Sequence, residues 1–267
     1  MKPSAQEKLS AEHINSQKSK KKGFLGHFET TLRQFQNLAF AVFLAPITVL
    51  YIFCIGVSAA PGFYLFNWAQ SYFQSSGPVV LAFAEGLALG IGVVAFIFVL
   101  IFVVAFCNIP FKPFVKTYRG PWFSLESIPW FYHNALTYLV RYTILDFITP
   151  TPLNLLFFRM MGMKIGKGTM INSTNISDPC LIELGDYVTI GGSAYLMAHY
   201  GMKGFLVIEH LKIHNKANVG LHAYLMGAVE VGEYVQVLPN TAVLPKTKIP
   251  KGYKFGVAAK VDQEDIS

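Results

Sequence analysis

The second half of this chain is predicted to fold as a parallel β-helix, and the first half as two membrane-spanning helices. Three observations carry the prediction. From Ile213 to Ile249 an aliphatic residue falls on every sixth position: Ile213, Val219, Leu225, Val231, Val237, Val243 and Ile249. That beat fits neither the 3.6-residue helix nor strand alternation, and it describes a chain that turns a corner every six residues with one inward side chain per flat face. The fourth residue after each inward aliphatic is small or β-branched (Ala217, Ala223, Val229, Val235, Thr241, Thr247), which suits a tight corner. Finally, no Asp, Glu, Lys or Arg occurs from Gln34 to Ala84, and after Glu85 none occurs until Lys112.

In chain order, residues 1–23 read as a polar basic tail. A region over 24–109 follows, beginning with a short interfacial helix over 24–36 and holding spans over about 38–60 and 79–107. Each span exceeds the roughly 20 apolar residues that cross a bilayer. Pro61–Pro78 is expected as the loop between them, its Tyr64, Trp68, Tyr72 and Phe73 suited to a membrane interface. A soluble buried hairpin is the competing reading, but helices without charge on any face have nothing to show to water. Lys18, Lys20, Lys21, Lys22 and Arg33 precede the first span, and Lys112, Lys116 and Arg119 follow the second. The positive-inside rule then puts both termini and the β-helix in the cytoplasm of a two-span inner-membrane protein. The net charge of +7 reads as topology plus attraction to anionic lipid, not as nucleic-acid binding. Three scattered cysteines, Cys54, Cys107 and Cys180, show neither metal spacing nor a disulfide framework. Ala82, Gly86 and Gly90 form a small-residue row expected to pack helix on helix beside the intramembrane Glu85, itself either functional or simply interfacial.

Residues 110–161 read as a connector with interfacial helices. Asn108–Pro129 is broken by Pro and Gly. Trp130–Ile148 is helix-like, and Thr149–Pro152 stops it. Leu153–Met161 is a short helix capped by Gly162. The β-helix is expected over 162–255, in about four to five coils, and 256–267 form a tail. Ile165 and Ile171, then Leu184, Ile190 and Leu196, keep the same beat in a phase one residue apart, so a bulge near Ser177–Cys180 is expected. Between His199 and Lys212 the beat fails, and a loop is expected to leave the prism there.

The segments IGKGTMIN, LGDYVTIGGSAYLMAHY and IHNKANVGLHAYLMGAVEVGEYVQVLPNTAVLPKTKIPKG resemble hexapeptide-repeat acyltransferases over roughly residues 160–255. Within that superfamily the chain looks like the polysaccharide O-acetyltransferases and like the β-helix modules at the C-terminus of peptide-synthetase-like polymer synthases. The resemblance implies an all-β left-handed parallel β-helix, a homotrimer, and transfer of an acetyl or other acyl group from acyl-CoA. Acyl-CoA would be a co-substrate, with no permanently bound cofactor and no metal. With the spans, it implies a membrane-anchored enzyme acting on a hydroxyl or amine of a glycan or lipid-linked acceptor at the inner leaflet, in contact with membrane lipid. Two alternatives stay open: an amide-ligating or carrier-protein-dependent module of a polymer synthase, and a non-catalytic trimeric scaffold.

The resemblance makes His199, at the break in the beat, the candidate general base. Imidazole suits that role because its ordinary pKa of about 6.5 can be tuned to working pH. The alternative is a solvated loop histidine. His222 is expected to be structural or substrate-contacting. Asn175, Asp178 and Glu183 lie where the family contacts its acceptor. Asn and Asp there would equally serve local turn chemistry. For coenzyme A, Gly220, Ala223 and Gly227 would form a slot of small residues. Lys246 and Lys248 would meet its phosphates, unless that end is merely a solvated basic face.

Overall fold

A computed structural model describes residues 18–19 and 21–256; most of both expected tails lies outside them. The chain falls into two compact units. Among the described residues, one comprises the chain from Lys18 to Phe114 with Phe123–Ile144, the other Val115–Trp122 with the chain from Leu145 to Gly256.

The helical unit is built on α1 (Gly23–Phe73) and α2 (Pro78–Asn108). Its α1 is longer than expected at both ends. Residues 24–36 continue into it, and Pro61–Phe73, expected as loop, is helical through Pro46 and Pro61. A proline costs an interior helix one hydrogen bond, a defect that neighbouring helices can absorb. The hairpin turn is confined to Gln74–Gly77. Two stretches, Ala41–Phe73 and Pro78–Asn108, are long and apolar enough to cross a membrane. Gly86 and Gly90 do not form the expected helix contact, since a Cβ on either would meet nothing within 4 Å. Gly62 and Gly92 do: a Cβ on Gly92 would lie 2.8 Å from Gly62 Cα. The close approach lies on another face of α2, because a helix that is apolar almost all round carries no periodicity to say which face meets a neighbour. Helix α3 (Ser127–Thr143) is fixed to the hairpin by three polar links. Tyr51 Oη donates to Ala135 O at 2.7 Å and Tyr132 Oη to Phe43 O at 2.6 Å, while His133 Nδ1 and Asn108 Oδ1 lie 2.9 Å apart. The buried pair Glu29 and Arg33 meets at 2.6 Å, with Lys21 3.2 Å from Glu29.

The other unit contains β1 (Tyr118–Pro121), the short helices α4 (Leu145–Ile148) and α5 (Pro152–Met161), and the β-helix. Gly162 caps α5 in the left-handed region, with φ 110°. Three parallel sheets form a prism. We name them faces B, C and D, in the order the chain visits them. Face B stacks β2 (Lys164–Ile165), β5 (Ile182–Leu184), β10 (Leu211–Ile213), β13 (Glu230–Val231) and β16 (Lys248–Ile249). Face C stacks β3 (Met170–Ile171), β6 (Thr189–Ile190), β11 (Asn218–Val219), β14 (Gln236–Val237) and β17 (Lys254–Phe255). Face D stacks β4 (Ile176–Ser177), β7 (Tyr195–Met197), β12 (Tyr224–Leu225) and β15 (Ala242–Val243).

The six-residue beat is the inward stack of these faces. Leu184, Ile213, Val231 and Ile249 pair in register on face B, and Ile190, Val219 and Val237 on face C. Leu196, Leu225 and Val243 do the same on face D. The corners keep the same period. Lys216, His222, Ala228, Tyr234, Asn240 and Lys246 all have positive φ, and Gly252 completes the series. Each non-glycine residue there costs roughly 1–2 kcal/mol. Burial of one aliphatic side chain per corner returns about 1.5–3 kcal/mol. Corner amides are also paired: those of Lys216, His222, Ala228, Tyr234 and Asn240 donate to carbonyls of the preceding coil. Outside face B, Lys164, Glu183, Lys212, Glu230 and Lys248 alternate in sign in neighbouring strands. Such pairs are worth about 0–1 kcal/mol each, yet like charges in register would oppose the stack.

Candidate active site

The corners between faces D and B depart from the pattern in the first two coils. After β4 the chain takes a left-handed step at Asp178, φ 58°, and a 3-10 turn at Pro179–Leu181. From Ile176 to Leu184 this corner takes eight residues instead of six, and the corner before it, Ile171 to Ile176, takes five; together they leave the one extra residue between the two phases of the beat. Asp tolerates the left-handed region better than most side chains. In the second coil the chain leaves the prism after Ala198 and returns at Glu209, whose N–H donates to Ala198 O at 2.8 Å. The excursion is a hairpin of β8 (His199–Met202) and β9 (Phe205–Ile208). Its turn is Lys203-Gly204, with φ 52° and 79°. Two successive positive φ values match the twist of a tight two-residue hairpin.

His199 opens β8. Its Nδ1 lies 2.6 Å from Asp178 Oδ2, which also accepts from the Ala198 N–H at 2.9 Å. Asp178 is fully buried and the His199 side chain is 19% exposed. A buried carboxylate must find donors, and here one is the catalytic candidate itself. Because the carboxylate accepts, Nδ1 carries the hydrogen and Nε2 keeps its lone pair. Burial opposes a charge on the ring, but the Asp178 carboxylate outweighs it, so the His199 pKa is raised above its ordinary 6.5. Gly227, in the next coil, closes against this point. A Cβ there would lie 2.9 Å from Ala198 O and 3.3 Å from His199 N. An imidazole fixed through Nδ1 by a buried carboxylate, in the tautomer that leaves the basic lone pair on Nε2, is the arrangement a general base requires.

The structure brings some sequence candidates together and separates others. Asp178, His199, Gly227 and Lys246 share the D-to-B edge, Lys246 two coils beyond His199. Asp178, expected near the acceptor, is sealed from solvent with its carboxylate on His199 Nδ1 and the Ala198 N–H. Asn175, Gly220, His222 and Ala223 belong to the C-to-D edge instead. There the Asn175 N–H donates to Ser173 Oγ at 3.0 Å, which is local turn chemistry. His222 is an exposed corner residue. Ala223 is buried, and a Cβ on Gly220 would lie 2.5 Å from Pro239 N, so both serve packing. Glu183 and Lys248 are members of the face B charge ladder, Glu183 2.7 Å from Lys164 and Lys248 3.2 Å from Glu230. The ladder was illegible in sequence because its members lie about eighteen residues apart and meet only through strand register. The sequence reading also missed Tyr195 and Tyr224, stacked on the outside of face D with centroids 4.7 Å apart. Their common spacing from Leu196 and Leu225 was the available signal.

Comparison with known proteins gives structural likeness only. No family model matches the chain, and no curated protein matches its sequence. Among solved structures, serine acetyltransferase of Neisseria gonorrhoeae in complex with serine is 16% identical with a TM-score of 0.29; the match covers 51% of this chain and 56% of that one. A hexapeptide-repeat-containing acetyltransferase of Vibrio cholerae is 12% identical with a TM-score of 0.34, over 45% of this chain and 82% of that one. Serine acetyltransferase isoform 3 of Entamoeba histolytica, in complex with cysteine, is 15% identical with a TM-score of 0.30, over 77% and 73%. Likeness this distant leaves the chemistry to the site itself.

Proposed function

We propose that this protein is a membrane-anchored acyltransferase that moves an acetyl or other acyl group from acyl-CoA to a hydroxyl or amine of a glycan or lipid-linked acceptor. The observation that carries the reading is the Asp178–His199 pair at the one edge where the prism is interrupted. His199 Nε2 takes the proton from the acceptor as its oxygen or nitrogen attacks the thioester carbon. The tetrahedral intermediate then collapses and releases coenzyme A as the thiol, the imidazolium returning its proton to the sulfur. Asp178 holds the ring and stabilises its positive charge during the cycle. Gly227, expected to line the donor slot, is closed against the Ala198 carbonyl, and Lys246 is the cation on the same edge that would meet a phosphate. The anchor is read from the two apolar helices. At 1.5 Å per residue, Ala41–Phe73 reaches about 50 Å against a hydrocarbon core of about 30 Å. The surplus leaves Trp68 and Tyr72, stacked 5.5 Å apart, for an interface. With the basic flanks inside, the prism faces the cytoplasm, where acyl-CoA is made, and a homotrimer would place a second prism beside the edge.

The test is to incubate the detergent-purified protein with acyl-CoAs and a membrane lipid extract and to follow thiol release and lipid mass. Wild type should add an acyl mass to one lipid class. His199→Ala should slow thiol release by about 10²–10⁴-fold, the usual worth of general-base catalysis. Activity within about tenfold of wild type would remove His199 from that role.

A further inference from the structure

We propose that strand β1, contributed by the segment that follows the second apolar helix, positions the catalytic histidine. The inference rests on the reading of His199 as the base. The chain leaves the helical unit at Val115, contributes Val115–Trp122 to the β-helix unit, and returns to the helical unit at Phe123. Within that loan, Tyr118–Pro121 pairs antiparallel with β9, so β9 is the middle strand between β1 and β8. His199, Ile208 and Tyr118 stand in one row across the three strands. The next row joins Tyr200, Val207 and Arg119.

A two-stranded hairpin alone is marginal in water, whereas a third strand with a buried face makes it a stable platform. All of Phe205–Ile208 is buried. On one face Tyr200, Phe205 and Val207 form a small core, and the Arg119 guanidinium lies 5.8 Å from the Phe205 ring centroid. Beside the histidine, Gly201 faces Trp122: a Cβ there would lie 3.3 Å from Trp122 Cζ2. The borrowed segment therefore braces β9 from one edge and covers β8 next to His199. The 2.6 Å contact of the imidazole with Asp178 depends on where β8 starts, and a shift of about 1 Å in a catalytic group can cost on the order of a hundredfold in rate. Removal of β1 pairing should loosen this contact while the coils, whose ladders do not include β1, stay folded.

The experiment uses the full chain in detergent. Tyr118 and Ile208 form a hydrogen-bonded pair, because the neighbouring Val207 and Glu209 turn their backbone groups towards β8; Tyr118→Pro removes the N–H of that pair, and Tyr118→Phe keeps a good strand former. His199 is titrated by the pH dependence of its carbethoxylation with diethyl pyrocarbonate, read at that residue by peptide mass spectrometry. Thiol release from acetyl-CoA with the lipid extract gives kcat and KM. Hydrogen exchange reports protection of β9 and of the coils. In Tyr118→Pro, β9 should lose protection, the His199 midpoint should fall towards its ordinary value as Asp178 is lost, and kcat should drop about tenfold to a hundredfold with KM little changed. Tyr118→Phe should behave as wild type. An unchanged His199 midpoint in Tyr118→Pro with β9 deprotected would overturn the proposal. If Tyr118→Pro does not fold, Trp122→Ala replaces it, with the same midpoint shift expected and an unchanged midpoint again overturning it. Because carbethoxylation needs no substrate, failure of the catalytic reading is separate: it would appear as undiminished thiol release from His199→Ala, whatever the titration shows.

Discussion

The D-to-B edge of the prism can be compared with itself. In its third and fourth coils the chain rounds the corner through Met226–Val229 and Leu244–Thr247, each with one left-handed residue, Ala228 and Lys246. In the first two coils the same edge carries a buried aspartate, a 3-10 turn and a hairpin. The regular corners are fixed by local packing and repeat without variation. The irregular ones bring residues twenty-one positions apart, Asp178 and His199, within 2.6 Å. Regularity supplies the frame, and the interruption holds the candidate imidazole with its buried carboxylate partner.

Breaking the regular part should cost stability and spare the intrinsic chemistry. Leu225→Ala removes a fully buried rung from face D. It should destabilise the unit by about 2–5 kcal/mol, read by denaturant unfolding, with the rate per folded molecule largely kept. Breaking the irregular part should do the reverse. Asp178→Asn should lower kcat about a hundredfold, near 2.7 kcal/mol at 1.36 kcal/mol per decade, with the coils still protected from hydrogen exchange. It should also change the pH profile. His199 acts only when deprotonated, so the wild-type rate should rise with pH through a midpoint above 6.5. With the carboxylate gone, burial alone acts on the ring, and the midpoint should fall below that of wild type. The sign for stability follows. A raised folded-state pKa stabilises fully below the unfolded value of about 6.5, and that part is lost as pH rises through the folded value. The smallest effect belongs to the face B ladder. Glu183→Gln should cost under about 1 kcal/mol and shrink further at high salt. Its rate should match wild type, because Glu183 faces Lys164 and Lys212 across its own sheet.

The coils were legible because each inward aliphatic signals its place locally, and His199 because the beat stops there. The partnership of Asp178 with His199 was not, since a turn residue with no visible partner reads equally as turn chemistry or as a ligand contact. Gly220 and Gly227 look alike in sequence, yet one closes against Pro239 and the other against Ala198. Strand β1 was hidden in a proline-broken connector because its partner lies about ninety residues later. Gly62 and Gly92 make the close approach expected of Gly86 and Gly90, for a similar reason: a helix that is apolar on nearly every face does not announce which one packs.

The sequence by itself determined the six-residue prism and the two long apolar stretches, because burial periodicity and the scarcity of charge are local properties of the chain. Only the tertiary structure decided which edge brings Asp178 to His199, and which distant strand pairs with β9. Those depend on register and on closure between segments far apart in sequence, and neither leaves a local trace.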